Sequence, residues 1–253
     1  MERRRERGGQ PSQRARGLSR EDIVAAAVAL ADAEGTEAVS IRRVARALRV
    51  GAMSLYWYVA STAELHQAML EQVQAETEVP EPSGDWRADL RGYAASAREA
   101  MLRHPWAIDF LGAGPPSGPQ DASNADRLIG AFDGTGADVK TTLWAAMTLG
   151  TYVIGAALRE VQETRWHQAA AEAKAASGMT EEDAGAAQEE QVRQILALGQ
   201  YPHLARVSDA GFDPDAPETR DERFEFGLGV VLDGIAARLS AVPPAVDGVA
   251  GKR

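Results

Sequence analysis

Residues 40–65 read SIRRVARALRVGAMSLYWYVASTAEL, and this stretch decides the fold. Ser40 is placed to cap a helix in which Ile41, Val44, Ala45 and Leu48 follow the i, i+3, i+4, i+7 spacing of one buried face. Arg42, Arg43 and Arg46 are left on the other side. After Arg49 and Val50 comes Gly51, the residue expected to supply the left-handed or otherwise strained backbone that swings the chain into a second helix. That helix is expected over about 52–58, with Leu55 and Val59 facing inward. Met53, Ser54, Tyr56 and Tyr58 include the side chains best able to reach a groove. Ser61 offers a cap for a further helix carrying Leu65, Met69 and Val73. Two short helices around a tight turn, with aromatic and hydroxyl groups crowded on the second, have the form of a helix-turn-helix and point to DNA. Ordinary amphipathic helices of an all-α protein share this spacing, so the pattern alone leaves that alternative open.

Upstream, residues 1–18 are polar and Arg-dense with too few apolar groups to pack, and a disordered arm is expected there. Such an arm can enter a minor groove. Ser19 then caps a helix with Ile23, Val24, Ala27, Leu30 and Ala31 on one face, ended by Gly35. Downstream, two prolines and a glycine in VPEPSGD break the pattern, which places a domain boundary near residue 80. The expected organisation is an arm at 1–18, a helix-turn-helix domain at 19–80, a larger helical ligand-binding and dimerisation domain at 81–241, and a disordered tail at 242–253. Within the larger domain, helices are expected near 86–102, 121–132, 137–160, 180–198 and 218–239. The 137–160 helix is apolar nearly all round and is expected to be deeply buried. Residues 163–188, rich in Ala and Glu, are expected to be an exposed helical excursion, and YPHLARV at 201–207 a kinked connection. No strand alternation appears, so the fold class is all-α.

The formal net charge is −10, which argues against a protein that coats nucleic acid, but the charge is uneven. Residues 1–70 hold 11 Lys and Arg against 8 Asp and Glu, so only the N-terminal part is basic. This suits a small DNA-reading head on an acidic body that phosphates repel. Cysteine is absent, which excludes disulfides and thiolate metal sites and fits a reducing cytosol. No apolar run is expected to reach the roughly 18 residues of a membrane span, and no secretory signal is visible. A cytoplasmic protein with no membrane partner is expected. Lys occurs only at Lys140, Lys174 and Lys252 while Arg and Ala abound, the coding bias of a GC-rich bacterial genome.

With SLYWYV at 54–59 following these helices, the chain resembles the tetracycline-repressor (TetR) family over about residues 19–75. DWRADLRGYAASAREAMLRHPW, WAAMTLGTYVIG and ERFEFGLGVVLDGI resemble the C-terminal domain of the tetracycline-repressor branch. The resemblance implies a homodimer built on the last long helices, here through a stripe of Phe224, Leu228, Val231, Leu232 and Ile235. It further implies release from DNA when a small molecule enters the larger domain. By the same resemblance Arg42, Ala52, Met53, Ser54 and Tyr56 touch base edges, and Tyr58 and Thr62 touch phosphate. Arg42 alone suits a bidentate guanine contact, with a phosphate clamp as its alternative role. The lysines that tetracycline repressor carries after its recognition helix are replaced here by Ala60 and Thr62. The N-terminal arginines are one candidate to compensate for them.

Tetracycline repressor holds a magnesium–drug chelate through a histidine before a Leu-Gly pair, whereas here Phe110 precedes Leu111-Gly112. The later acidic partner also has Arg159 as its nearest match. A metal–tetracycline ligand is therefore not expected, and no cofactor is assigned. An apolar, aromatic-lined cavity is expected instead, from Leu102, Trp106, Phe110, Trp144, Met147, Thr148 and Tyr152 with His104 as a polar handle; taken singly, each also serves as ordinary core. His66, His104, His167 and His203 lack metal-ligand spacing, and no catalytic constellation stands out, so no enzyme is expected. The expected function is a homodimeric repressor on a pseudo-palindromic operator, released by a small apolar or aromatic molecule. The alternatives are a helical small-molecule-binding protein or enzyme with a vestigial DNA head, and a ligand-independent or activating regulator.

Overall fold

Short polar side chains start the helices where their backbone N–H groups would otherwise lack partners. The computed structural model describes residues 17–111, 118–178, 190–211 and 216–240, so the expected arm over 1–16 and tail over 242–253 lie outside the described residues. Helix α1 (Arg20–Glu34) opens on a capping box between Ser19 and Asp22 and ends at Gly35, whose φ is 80°. Helix α2 (Ile41–Leu48) is capped by Ser40, which accepts the Arg43 N–H. Helix α3 (Ala52–Leu55) is a single turn extended by residues 56–58 in turn conformation. Helix α4 (Thr62–Glu76) begins where Ser61 accepts the Glu64 N–H at 3.1 Å and Glu64 accepts the Ala60 N–H at 2.7 Å.

The remaining helices are α5 (Trp86–Arg103), α6 (Pro119–Gly130), α7 (Val139–Ser177), α8 (residues 190–197), α9 (Pro202–Asp209) and α10 (Arg220–Ser240). Asp85 caps α5 and Asp138 caps α7. The chain is all-α, with no strand among the described residues. It divides into two compact units. The first runs to Glu76 and includes Gly112–Ser123; the second holds Thr77–Leu111 and the residues from Asn124 onward. Residues 118–123, expected in the larger domain, group with the first unit, where Glu71 of α4 accepts the Gln120 N–H at 3.0 Å.

The core of the first unit forms where Ile23, Ala27 and Val28 of α1 meet Val44, Leu55, Val59, Leu65 and Met69, all buried. In the second unit, α5, α7 and α10 pack through Leu90, Ala94, Leu149, Val153, Ala157, Phe224, Leu228 and Leu232. Two expectations about this unit do not hold. The stripe assigned to dimerisation is the inner face of α10: Phe224, Leu228, Leu232 and Ile235 are buried in their own protomer's core and Val231 packs against it. The outward face, half a helical turn away, carries Phe226 and Val230, which are 76% and 58% exposed. Helix α7 is likewise not buried all round.

Ala145, Leu149, Val153 and Ala157 face the core, while Leu143, Trp144 and Met147 face outward. Residues 141–158 are also uncharged, so α7 is long and apolar enough to cross a membrane by length and composition, contrary to expectation. In this structure its inner face packs on α5 and α10. Past Val161 it continues to Ser177 with no buried residue, so the first part of the expected excursion is a continuation of α7. Residues 179–188 lie outside the described residues. The kink expected at 201–207 is instead the start of α9, which buries nothing.

Polar side chains lock α5, α7 and α10 together. Arg98 of α5 donates from Nε and Nη2 to Glu160 of α7 at 2.7 and 3.0 Å, and from Nη2 to Asp221 of α10 at 2.7 Å. Its guanidinium also lies 4.6 Å from the centre of the Phe224 ring. One turn further along α7, Glu163 pairs with Arg159, Arg220 and Arg223. Burial alone would raise the Glu163 pKa, but the hydrogen bonds and charges of Arg223 and Arg159 outweigh it and hold the carboxyl at about 2. A carboxyl depressed in the folded state stabilises above its unfolded pKa, and that stability is lost as pH falls from about 5 toward 2. Glu163→Gln is expected to flatten this acid limb, removing on the order of 2 kcal/mol of stability difference between pH 6 and pH 3 in urea unfolding.

Candidate nucleic-acid interface and ligand-binding face

The turn between α2 and α3 aims the candidate DNA-reading side chains, and it is built differently from the expectation. Arg49, not Gly51, takes the left-handed conformation, with φ 58° and ψ 40°, while Gly51 is extended at φ −73°. The reason lies in how α2 ends. The Val50 N–H reaches back to the Ala45 carbonyl at 3.0 Å and the Arg49 N–H to the Arg46 carbonyl at 3.1 Å, a Schellman closure that needs a left-handed residue immediately after Leu48. Gly51 comes two residues too late to supply it.

Beyond this turn, Leu55 and Val59 are fully buried and act as the anchors. Around them Met53 is 76% exposed, Tyr56 50% and Tyr58 38%, and Ser54 is exposed. Ala52 and Thr62 are half-buried and Arg42 is exposed. All seven residues therefore sit at the surface of one small unit. Sequence reasoning passed over Trp57, which is 90% exposed between the two tyrosines. Its signal was the buried Leu55–Val59 pair, since a side chain two residues after an inward-facing position points away from the core.

The eight residues expected to line a ligand cavity do not share one environment. His104 and Trp106 are buried, and with the partly exposed Phe110 they form an aromatic cluster with ring centres 6.2 and 6.3 Å apart. Leu102 is partly exposed at the end of α5. Trp144, Met147 and Thr148 occupy the outward face of α7, where the Lys140 ammonium sits 4.4 Å from the centre of the Trp144 ring. Tyr152 stacks on Phe224, and its hydroxyl donates to the Phe224 carbonyl at 2.6 Å, so it acts as a brace between α7 and α10. The split follows helix geometry: residues 144 and 148 share a face that position 152 has begun to leave. A separate groove of about 570 Å³ is lined by His203, Arg206 and Val207 of α9 and by Ala210 just after it. Among the described residues no group of three His, Asp or Glu side chains is placed to hold a metal ion.

Residues 79–239 match the family profile described as the tetracyclin repressor-like C-terminal domain, and residues 23–69 match that of the bacterial regulatory proteins of the tetR family. The chain belongs to the tetracycline-repressor family. It is 34% identical over 235 residues to the transcriptional repressor DrrR1 of Streptomyces coeruleorubidus, covering 92% of this chain and 81% of that protein. It is 29% identical to the class A tetracycline repressor of transposon 1721 from Escherichia coli, over 85% of this chain and 89% of that one. The TetR-family protein ActR of Streptomyces coelicolor, solved in complex with actinorhodin, superimposes with a TM-score of 0.67 at 25% identity, over 88% of this chain and 99% of that chain. As a family member the chain is a helix-turn-helix, DNA-binding, ligand-responsive regulator of transcription, and the C-terminal family profile spans most of its second unit.

Proposed function

We propose that the protein is a homodimeric, cytoplasmic, non-enzymatic repressor that binds a pseudo-palindromic operator and is released by a small apolar or aromatic molecule. The observation that carries the reading is the surface over Leu55 and Val59, where Met53, Ser54, Tyr56, Trp57 and Tyr58 are all turned to solvent. A large exposed aromatic patch of this kind on a small domain marks an interaction site. Two copies would be joined by the outward faces of α7 and α10, carrying Leu143, Phe226 and Val230, since no part of the protomer's own core covers them. The effector would meet Leu102 and Phe110 beside the buried His104–Trp106 pair; Trp144, Met147 and Thr148 lie on the outward face of α7 instead. The aromatic class is supported by the actinorhodin complex of ActR.

Release requires that the ligand bind more tightly to a dimer geometry whose two α3 helices no longer match half-sites about 34–36 Å apart. The test is a gel shift on duplexes that the protein selects from a random library, with actinorhodin as the first probe. Displacement of the selected duplex supports the reading; saturable ligand binding with unchanged DNA affinity defeats the coupling. Arg42→Ala is expected to weaken binding by about 1–3 kcal/mol at one base pair of each half-site and to relax selection there. An equal loss on every operator variant would assign Arg42 to phosphate instead.

A further inference from the structure

We propose that Arg46 and Arg49 are the phosphate-gripping residues of the DNA head, and that Arg49 is kept in a left-handed turn for that purpose. The inference rests on the DNA-binding reading above and adds two contacts to it. Its first basis is where the positive charge lies. Between Arg49 and Arg87 the chain contains no Lys or Arg, so α3 and α4 carry no cationic side chain. The basic groups in the described part of the first unit are Arg20, Arg42, Arg43, Arg46 and Arg49. Arg20 pairs with Glu64 at 3.6 Å, and Arg43 is held by both oxygens of Glu34 at 2.7 Å. Arg42, Arg46 and Arg49 remain exposed and form no ion pair among the described residues. Arg42 and Arg46, spaced i, i+4, form one exposed edge of α2 flanking the buried Ile41, Val44 and Ala45, and Arg49 lies in the turn just past the end of that helix.

The second basis is the backbone of Arg49. A φ of 58° crowds any residue with a Cβ and suits glycine. The two closing hydrogen bonds of α2 are made by main-chain atoms alone, so the turn requires the conformation but not the arginine. Arg49 is the one non-glycine residue with positive φ among the described residues. Strain retained at a single exposed cation beside the recognition helix points to use of that cation. With Arg42 reading a base, Arg46 on α2 and Arg49 in the turn before α3 offer two charges per half-site to the phosphates.

The turn also supplies a clean test, because Arg49→Gly removes the charge while relieving the backbone. Affinity is measured across a salt series for wild type, Arg49→Gly, Arg49→Lys and Arg46→Ala, on a duplex selected by the wild-type protein and on a scrambled duplex. Arg49→Gly is expected to make the slope of log affinity against log salt shallower by about 1.8, one phosphate contact in each of two half-sites. The same change is expected on both duplexes. Its Tm should equal or exceed that of wild type, by about 2 °C. Arg46→Ala should shift the slope alike, and Arg49→Lys should restore it. An unchanged slope in Arg49→Gly, or a full slope lost only through a lowered Tm, overturns the proposal. If wild type shows no preference for its selected duplex, the DNA reading itself has failed; if it keeps that preference while the slopes match, only the present inference has.

Discussion

Phe226→Asp combined with Val230→Asp is expected to convert the protein to a monomer and to lower operator affinity by at least about 100-fold. The two side chains lie one turn apart on α10 and are among its most exposed apolar groups, 76% and 58%. Opposite them, Phe224, Leu228, Leu232 and Ile235 fill the protomer's own core, so the substitutions leave that packing intact. Four carboxylates facing one another across a two-fold interface would need desolvation without partners, which the apolar contact cannot offset. Operator affinity falls because linking two half-site readers raises the second binding event by an effective concentration worth 10²–10⁴ in affinity, all of which is lost in a monomer. Sedimentation velocity gives the mass and anisotropy on the selected duplex gives the affinity. A variant that stays dimeric would move the interface off α10.

Glu160→Ala is expected to destabilise the second unit by about 3–5 kcal/mol, the usual penalty for stranding one member of a buried ion pair. Glu160 and Arg98 have side chains only 7% and 15% exposed, and they are joined by two hydrogen bonds of 2.7 and 3.0 Å. Without Glu160, the Arg98 guanidinium keeps one bond to Asp221, whose side chain is 88% exposed and gives little in return. The double variant Arg98→Met/Glu160→Leu is expected to recover most of the loss, since it strands no charge and fills similar volume. Denaturant midpoints at pH 7 measure both. A Glu160→Ala loss below about 1 kcal/mol would show that this pair does not hold α5 to α7.

The starts of the helices were legible because they are local. Ser19, Ser40 and Ser61 each accept an N–H three residues on, and nothing distant in the chain changes that. The inward pair Leu55 and Val59 was legible for the same reason, being set by helical period alone. The left-handed residue was misplaced because glycine marks a permissive position, whereas the closure of α2 chose its residue by counting from the last helical carbonyl. The outward face of α10 was misread because its apolar residues run nearly round the helix. Only packing against α5 and α7 reveals that Phe224 goes in and Phe226 goes out. The residues expected to line a ligand cavity were the least legible. A resemblance fixes which positions correspond, but not whether Trp106 ends in the core or Trp144 at the surface, which depends on how much of each helix its neighbours cover. The length of α7 was underestimated because residues 163–177 carry a single large apolar group, the exposed Trp166; Ala and Glu, both strong helix formers, carry the helix on.

The central claim is that the α2–α3 head, presented twice by a dimer, reads a specific operator. It is tested most directly by titrating a labelled duplex, selected by the protein from a random library, near physiological salt, with stoichiometry read at saturation. Two protomers per duplex are expected, with an affinity at least about 10³-fold above that for a scrambled duplex of equal length. Equal affinity for the two duplexes, or saturation by a single protomer, would contradict it.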